Sequence, residues 1–492
     1  MNKPIIRVYA FVLLLFASLV WFTSKWTVFD SDELQAKTQN RRPLIEEQEI
    51  PRGSITTADG VLIAESKPEG GGNHPVYVRD YPDDNPEAFG NPVGYSFVTA
   101  GNRTGIEASE NDLLAGEKNE FASIIDQLTS TPQQGADITL TLNAEAQRLA
   151  VAQLQSAIAS TPGASGFGGS VVALNPQTGA VEVMASVPGF DPNDLRDPKV
   201  ASQLQEEGVA SPLFNRPTQG TYEPGSTMKV VTAAAALDSG EFTPDSVLSG
   251  QTGIEIGGVP LENAGGESPG DINMDTALTH SVNTYFAQVG EKLGTQTMFE
   301  YMDRFGFFHD PQLDYPDIQM QPSGVYDGGD LLGAGDAIDI GRVAIGQERL
   351  LVTPMQMAEV AATIANGGTL MKPTFLQSAK DPDGRTIDEL NPSEQSQVVS
   401  SETANQLTEM MTHVTEEGTA AGLTVQGISF AGKTGTAEVD VENGINRPWF
   451  IGFAPAQDPQ VAVAVMLERC QGCFGGEVAG PIATQIMESL LN

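Results

Sequence analysis

The sequence predicts an α+β fold in which strands from two distant parts of the chain form one antiparallel sheet. Five strand-like segments fall into an early pair and a late group of three: residues 170–174, 180–186, 430–439, 449–454 and 460–467. Asn443-Gly444 between the first two late segments is typical of a hairpin turn. Helical patterns separate the two groups, at residues 227–237, 275–293, 353–366 and 400–415, and one more follows at 481–491. The early pair and the late group are therefore expected to meet across a helical insertion.

The N-terminal segment predicts a membrane anchor. Residues 5–23 are almost wholly apolar, interrupted by Arg7 and Ser18, and nineteen helical residues nearly cross a bilayer core of about 30 Å. The alternative is a cleaved signal peptide, but no clear small-x-small cleavage pattern follows the apolar run. Lys3 and Arg7 lie on the short N-terminal side, which predicts that this side faces the cytoplasm. We expect a cytoplasmic tail at residues 1–4, a single-pass transmembrane anchor at 5–24, and the remaining chain outside the cytoplasm.

The extracytoplasmic chain divides into three parts by composition. Residues 25–50 are polar and charged, which predicts a juxtamembrane stalk. Residues 51–160 mix short strand-like runs, turns and a helical pattern at 144–159, and cluster no reactive groups, so we interpret them as a non-catalytic pedestal. A linker of small residues at 161–169 begins the second domain, which is expected to span residues 161–492.

Composition excludes several classes of function. The chain has 492 residues, is 40% hydrophobic, and carries 64 acidic against 26 basic residues, a formal net charge of −38. A globular protein is expected, and nucleic-acid binding is disfavoured because no basic surplus exists to neutralise phosphates. The chain has two cysteines and four histidines, so a metal site is not expected and no cofactor is implied.

The two cysteines, Cys470 and Cys473, form a C-x-x-C pattern. A redox motif of this kind opens a helix, whereas Gly475 and Gly476 follow here. Outside the cytoplasm, a local disulfide that fixes a loop is the favoured interpretation.

The strongest candidate for chemistry is Ser226, three residues before Lys229 at the start of a helical pattern. Helical spacing places the two side chains on one face, and a hydroxyl beside an amine at a helix N-terminus suits an acyl-transfer nucleophile. Taken alone, the pair is more often an N-cap serine and a solvated lysine.

Two further motifs favour the catalytic interpretation of Ser226 and Lys229. Ser281-Val282-Asn283 lies in the middle helical region, and Lys433-Thr434-Gly435-Thr436 lies on the first late strand. Ser281 and Asn283 offer a hydroxyl and an amide, while Lys433 offers a fixed positive charge. Gly435 removes a side chain so that another backbone can approach, and Thr434 and Thr436 supply donors along a strand edge to which a peptide carboxylate could add. A helix-cap pair and a solvated strand lysine are the alternatives.

Three such motifs in this order resemble those of penicillin-binding proteins, S-x-x-K, S-x-N and K-T-G. Nearly all the chain after residue 50 resembles a class B penicillin-binding protein, specifically the short actinobacterial elongation-type form. The supporting segments are Arg52-Gly53-Ser54-Ile55, Asp59-Gly60, Leu62-Ile63-Ala64, Tyr81-Pro82, Gly94-Tyr95, Gly105-Ile106-Glu107, Phe214-Asn215-Arg216, Thr353-Pro354-Met355-Gln356, Ala365-Asn366-Gly367-Gly368 and Trp449-Phe450-Ile451-Gly452-Phe453-Ala454-Pro455.

The resemblance implies a penicillin-binding transpeptidase fold, with a five-stranded antiparallel sheet flanked by helices and a helical subdomain. It also implies an N-terminal mixed α/β pedestal, like the family's dimerisation domain, and one transmembrane helix. The implied function is that of a peptidoglycan D,D-transpeptidase, in which Ser226 attacks the penultimate D-Ala carbonyl of a stem peptide, releases the terminal D-Ala, and passes the acyl group to an amine. β-Lactams would acylate Ser226 by mimicking D-Ala-D-Ala.

The resemblance assigns roles to the other motif residues. Lys229 would accept the serine proton, Ser281 would relay a proton to the leaving group, and Asn283 would position substrate and Lys229. Lys433 and Thr434 would bind the donor carboxylate. The backbone N–H groups of Ser226 and Thr436 would form the oxyanion hole.

Several alternatives remain at this point. A D,D-carboxypeptidase uses the same motifs, and a non-catalytic scaffold for cell-wall synthesis would use the anchor and pedestal. A β-lactamase is disfavoured because no Glu-x-x-Leu-Asn motif follows Ser281-Val282-Asn283, and a Ser-His-Asp hydrolase because Ser226 lacks a G-x-S-x-G elbow. A bifunctional class A protein is disfavoured because no segment is large enough for a glycosyltransferase. The implied partners are peptidoglycan stem peptides, β-lactams, the cytoplasmic membrane and a polytopic SEDS glycosyltransferase.

Overall fold

Helix α1 carries the apolar N-terminal segment in the computed structural model, which describes residues 3–25, 47–69, 75–97, 102–116, 133–206 and 211–492. It spans Lys3–Ser24, and none of its residues is buried. An 18-residue stretch of this helix has a mean hydropathy of 2.3, and with 22 residues the helix is long and apolar enough to cross a membrane. The helix coincides with the predicted anchor, whereas residues 26–46 of the predicted stalk lie outside the described residues.

The remaining α-helices, in chain order, are α2 (Gly90–Val93), α3 (Gly105–Ser109), α4 (Asn111–Leu114), α5 (Ala144–Ser160), α6 (Pro198–Glu206), α7 (Arg216–Gln219), α8 (Lys229–Asp238), α9 (Met274–Thr279), α10 (Asn283–Arg304), α11 (Ile340–Val343), α12 (Pro354–Ala365), α13 (Ser401–Glu416) and α14 (Gly475–Leu491). The strands are β1 (Ile55–Thr56), β2 (Leu62–Glu69), β3 (Val76–Asp80), β4 (Ser96–Phe97), β5 (Asn102–Arg103), β6 (Asp137–Leu140), β7 (Gly169–Leu174), β8 (Val181–Val187), β9 (Val247–Ser249), β10 (Ile254–Ile256), β11 (Val259–Leu261), β12 (Asp271–Asn273), β13 (Gly324–Asp327), β14 (Asp330–Leu331), β15 (Leu350–Leu351), β16 (Thr369–Met371), β17 (Leu376–Lys380), β18 (Thr386–Glu389), β19 (Glu394–Gln397), β20 (Ala431–Asp440), β21 (Ile445–Ala454), β22 (Val461–Leu467) and β23 (Cys470–Gln471).

The main sheet has the order β20-β21-β22-β7-β8, and each neighbouring pair is antiparallel. The early hairpin and the three late strands therefore meet as predicted, through the pairing of β22 with β7. Strands β7 and β22 are buried along their whole length, which is expected of a sheet covered on both faces. The two-residue strand β23 adds to the end of β21. The α+β fold with a five-stranded antiparallel sheet is confirmed.

A second sheet, which we call the pedestal sheet because four of its strands lie in the predicted pedestal, has the order β18-β17-β6-β1-β2-β3. Within it β1 pairs with β6 in parallel, and the other pairs are antiparallel. Strands β17 and β18 come from far beyond residue 161, so one sheet joins chain from both predicted domains. Helix α5, within the predicted pedestal, packs against β7 and β8 of the main sheet.

Two of the predicted helices differ in the structure. The pattern at 275–293 is two helices, α9 and α10, because Ser281 has a φ of +58° and interrupts the helical backbone between them. The last helix begins at Gly475, before the predicted residue 481, and contains Pro481. Gly475 and Gly476 therefore open a helix where the sequence predicted a loop, but both cysteines precede this helix and do not form its first turn. The cysteines themselves form the predicted disulfide.

The buried side chain of Glu359 on α12 gives a pH-dependent prediction. Glu359 is 4% exposed, and its carboxyl group has no hydrogen bond or ion pair within the described ranges. Burial raises the pKa of this carboxyl group from the ordinary 4.5 to about 8. Between these values the folded protein holds a proton that the unfolded chain releases, so the free energy of unfolding falls as pH rises from 4.5 to 8. The slope from this group is about 1.4 kcal/mol per pH unit.

Glu359→Gln is expected to remove that contribution, so the variant gains stability over the wild type as pH rises from 5 to 8. Urea denaturation of the full chain in detergent at several pH values measures the difference. A variant whose stability runs parallel to that of the wild type across this range contradicts the prediction.

Candidate active site

Ser226 lies in a single turn of 3-10 helix, Gly225–Met228, which leads directly into α8. A 3-10 turn stacks side chains three residues apart more closely than an α-helix does, so Lys229 lies directly beside Ser226. Gly225 has a φ of +52°, and an added Cβ would lie 2.8 Å from the backbone carbon of Thr436. Its N–H donates to the carbonyl of Gly346 at 3.0 Å. Glycine at 225 therefore lets the serine turn rest against strand β20.

Lys229 is fully buried, and its Nζ contacts four oxygen atoms. It lies 3.0 Å from Ser226 Oγ, 2.7 Å from the carbonyl of Ser281, 3.2 Å from Ser281 Oγ and 2.6 Å from Asn283 Oδ1. Burial, and secondly the charge of Lys433, hold the pKa of the Lys229 amine well below its usual range. A neutral amine can accept a proton, so the geometry and the pKa both suit a base for Ser226.

The turn that carries Ser281 is strained. Its φ of +58° is uncommon for a residue with a Cβ and typically costs about 1–3 kcal/mol. In this conformation the Ser281 carbonyl accepts a hydrogen bond from Lys229, and α10 begins two residues later at Asn283. Asn283 Nδ2 also donates to the carbonyl of Glu262 at 3.1 Å, which ties the amide to a neighbouring loop. With this backbone, Ser281 and Asn283 both contact the Lys229 amine.

Lys433 on β20 is also fully buried. Its Nζ donates to Ser281 Oγ at 2.9 Å and to the carbonyl of Thr434 at 3.0 Å. Burial lowers the pKa of the Lys433 amine to about 7. Ser281 Oγ thus lies between two lysine amines, one of which contacts Ser226. This continuous chain of polar atoms can move a proton between the nucleophile and the far side of Ser281.

Strand β20 forms the edge of the main sheet beside the serine turn. Gly435 lies against that turn, and an added Cβ would lie 2.8 Å from the Pro224 carbonyl oxygen and 2.9 Å from Trp449 Cβ. Thr436 Oγ1 accepts a hydrogen bond from the N–H of Gly475, the first residue of α14, at 3.2 Å. The glycine and the threonine therefore set how closely the strand, the serine turn and the last helix approach one another.

A cleft of about 1220 Å³ opens over these residues. Five of the eight predicted site residues line it: Ser226, Ser281, Asn283, Thr434 and Thr436. The two lysines lie beneath its floor and are fully buried. All eight residues are thus brought together. The resemblance implies that Lys433 binds a ligand directly, but Lys433 is fully buried, so direct contact would require the residues that cover it to move.

The cleft also contains residues that the sequence did not indicate. His280, Thr419 and Phe474 line it, and Thr419 Oγ1 lies 2.6 Å from Thr434 Oγ1. Thr419 and Phe474 are far from the serine motifs in sequence and reach the cleft through tertiary packing, so no local pattern could have indicated them. His280 directly precedes Ser281, and this position next to a motif is the sequence feature that could have indicated a place in the cleft.

The serine turn is supported from behind by an ion pair and an indole. Arg447 Nη1 contacts the carboxylate of Glu223, and its guanidinium lies over the ring of Tyr222. Trp449 Nε1 donates to the carbonyl of Glu223 at 2.9 Å. These contacts fix the backbone three residues before Ser226. Across the described ranges, no group of three or more His, Cys, Asp or Glu side chains could hold a metal ion.

Known protein families match two long stretches of the chain. The family model for the penicillin-binding protein transpeptidase domain matches residues 169–488, and that for the penicillin-binding protein A dimerisation domain matches residues 52–138. The chain is 34% identical over 508 residues to peptidoglycan D,D-transpeptidase PbpA of Mycolicibacterium smegmatis, covering 100% of this chain and 99% of that protein. It is 34% identical over 511 residues to PbpA of Mycobacterium tuberculosis, with the same coverage.

A solved structure is also similar along most of the chain. It is a ceftriaxone acyl-enzyme complex of penicillin-binding protein A from M. tuberculosis, with a TM-score of 0.79 and 32% identity. The match covers 91% of this chain and 100% of that one.

Proposed function

Because the chain belongs to the penicillin-binding protein transpeptidase family, we propose that it is a serine-type peptidoglycan D,D-transpeptidase and a target of β-lactams. The observation that carries this function is the contact of a fully buried, low-pKa Lys229 amine with Ser226 Oγ at 3.0 Å. A serine hydroxyl is a weak nucleophile unless a base removes its proton. Lys229 is the base beside it.

In the first half-reaction, Ser226 Oγ attacks the penultimate D-Ala carbonyl of a stem peptide while Lys229 accepts its proton. The peptide bond breaks, and the nitrogen of the terminal D-Ala must receive a proton before it leaves. Ser281 Oγ lies within 3.2 Å of both lysine amines and supplies that proton, which it regains from Lys229 or Lys433. The product is a Ser226 ester and free D-Ala.

The strand residues bind the donor. Thr434 and Thr436 offer hydroxyl groups to the donor carboxylate, and Lys433 supports them with its charge from beneath the floor. The backbone N–H groups of Ser226 and Thr436 stabilise the oxyanion. Gly435 carries no side chain, which keeps the serine turn close to the strand. Asn283 orients Lys229 through its Oδ1 atom.

In the second half-reaction an amine from a neighbouring stem peptide attacks the ester, forms the new peptide bond and releases Ser226. The same ester hydrolysed by water would make the protein a D,D-carboxypeptidase. A scaffold without catalysis does not need a strained Ser281 or two buried lysine amines. The intact arrangement of these groups therefore favours an enzyme.

The rest of the chain is proposed to place this site at the cell wall. Helix α1 would anchor the protein with its N-terminus in the cytoplasm, residues 51–160 would form a pedestal, and residues 161–492 would form the catalytic domain. Lys3 and Arg7 at the N-terminal end of α1 support this orientation. The anchor and pedestal leave surfaces on which a SEDS-type glycosyltransferase could assemble.

A labelling experiment tests the nucleophile. The full chain in detergent is incubated with a fluorescent penicillin, digested, and the adduct is located by peptide mass. One adduct per chain on Ser226 is expected, and none in Ser226→Ala. An adduct on another residue, or its persistence in the alanine variant, contradicts the assignment. Supplying a stem-peptide donor with a D-amino acid then separates exchange from hydrolysis, and hydrolysis alone would identify a carboxypeptidase.

A further inference from the structure

The disulfide between Cys470 and Cys473 closes the loop that joins the main sheet to helix α14. Cys470 is fully buried, and Cys473 is 7% exposed. Cys470 begins β23, which pairs with β21 through Asn446. Helix α14 starts two residues after Cys473, at Gly475. The disulfide therefore fixes the distance between the edge of the sheet and the first turn of the helix.

That first turn forms one wall of the cleft. Phe474, Gly475, Gly476 and Glu477 all line it together with Ser226. The carbonyl of Cys473 accepts a hydrogen bond from Asn446 Nδ2 at 3.0 Å, and Asn446 lines the same cleft. The closed loop thus shares a polar contact with the wall that faces the nucleophile.

The loop reaches the reacting centre through Gly475. Its N–H donates to Thr436 Oγ1 at 3.2 Å. An added Cβ on Gly475 would lie 2.2 Å from the Trp449 carbonyl oxygen and 2.3 Å from the Gly435 carbonyl oxygen. The backbone of the loop is therefore in direct contact with strands β20 and β21 at the level of the Lys433-Thr434-Gly435-Thr436 motif.

General stabilisation is a weak explanation for this disulfide. A disulfide stabilises a fold mainly by restricting the unfolded chain, and the gain increases with the length of the loop it closes. Here the cysteines are only three positions apart, so that gain is near its minimum. A local role accounts better for its position, because the loop contacts the active-site strand directly through Gly475.

We propose that Cys470 and Cys473 are positioning residues for acylation: their disulfide holds the start of α14 against β20 and thereby fixes Thr436 beside Ser226. Neither cysteine contacts the substrate. Breaking the disulfide frees the loop, loosens the Gly475–Thr436 hydrogen bond and lets Thr436 shift relative to Ser226. A misplacement of about 1 Å near the reacting atoms can reduce a rate about 100-fold. The proposal rests on the function proposed above, in which Thr436 contributes to the oxyanion hole.

The test compares acylation rates of the full chain in detergent across redox states. The acylation rate of fully oxidised wild-type protein with a fluorescent penicillin is measured first. It is measured again after reduction, with a thiol titration to confirm that the disulfide is broken, and once more after re-oxidation. Reduction is expected to slow acylation about 10- to 100-fold and re-oxidation to restore it. Because the sulfurs are buried, Cys470→Ser combined with Cys473→Ser provides the second arm. This variant is expected to react as slowly as the reduced wild type, and its acylation rate should not change when reductant is added.

Met487→Ala is the control for lost stability, because Met487 is fully buried on the same helix, away from the cleft. It should lower the unfolding temperature without slowing acylation. An unchanged rate in reduced protein with two titrated thiols overturns the proposal, as does an equal loss of rate in Met487→Ala. When the reaction is complete, every variant should still carry one adduct, on Ser226. Its absence from oxidised wild type would instead overturn the proposed function.

Discussion

Replacing Lys229 with methionine is expected to slow acylation of Ser226 by penicillin about 10²- to 10⁴-fold, the usual contribution of a general base. Methionine keeps much of the side-chain volume but removes the amine that lies 3.0 Å from Ser226 Oγ. Stopped-flow measurement of fluorescent penicillin binding by the full chain gives the rate. Lys292→Met is the matched control, because Lys292 is exposed on α10 and should leave the rate unchanged.

Lys229→Arg tests whether Lys229 acts as a base or only through its positive charge. Arginine retains a positive charge but cannot act as a base because it stays protonated, so it should be as slow as methionine. In the wild type, the acid limb of the pH–rate profile should lie well below 10.5, because burial and the charge of Lys433 lower the pKa of the Lys229 amine. An arginine variant with the wild-type rate would show that charge, and not proton transfer, is what Lys229 supplies.

Gly346→Ala is expected to destabilise the protein by about 2–5 kcal/mol and to slow acylation at least tenfold. An added Cβ at Gly346 would lie 1.9 Å from the Gly225 carbonyl oxygen, at a φ of +78°. The clash must displace the serine turn, whose Gly225 N–H is also held by the Gly346 carbonyl. Urea denaturation in detergent and the acylation assay measure the two effects.

Gly240→Ala provides a control for backbone strain alone. Gly240 has a φ of +75°, close to that of Gly346, but an added Cβ there has no heavy atom within 4 Å. Its substitution should cost about 1–2 kcal/mol and leave acylation unchanged. If Gly346→Ala acylates at the wild-type rate, Gly346 does not set the position of Ser226.

The contacts that the sequence could predict are those encoded by local spacing and by motif order. Ser226 and Lys229 are one helical turn apart, so their contact follows from helix geometry. The five-stranded sheet followed from hairpin signals such as Asn443-Gly444 and from the need to bury two groups of strands. The resemblance to a known family supplied the juxtaposition of Ser281 and Lys433, which no local rule could have given.

Other contacts depend on tertiary packing and have no local signal. Thr419 follows a helix end and becomes part of the cleft only because Thr434 lies 2.6 Å away. The start of α14 was misplaced because Pro481 is typical of a helix's first turn and paired glycines are typical of a loop. In the structure, the glycine at 475 is required by close contact with Trp449 and Gly435. The glycine at the start of this helix is thus explained by close packing of its backbone against two strands, and not by local helix propensity.

The pedestal sheet has a consequence for how the protein is made. Its strands β1, β2, β3 and β6 leave the ribosome long before β17 and β18, which complete the sheet along β6. Until residue 380 has emerged, β6 has an unpaired edge, and such an edge readily pairs with other chains. The early half of the sheet therefore stays incomplete until the later half of the chain is made. We expect folding of this protein to depend strongly on whatever protects exposed strands during synthesis.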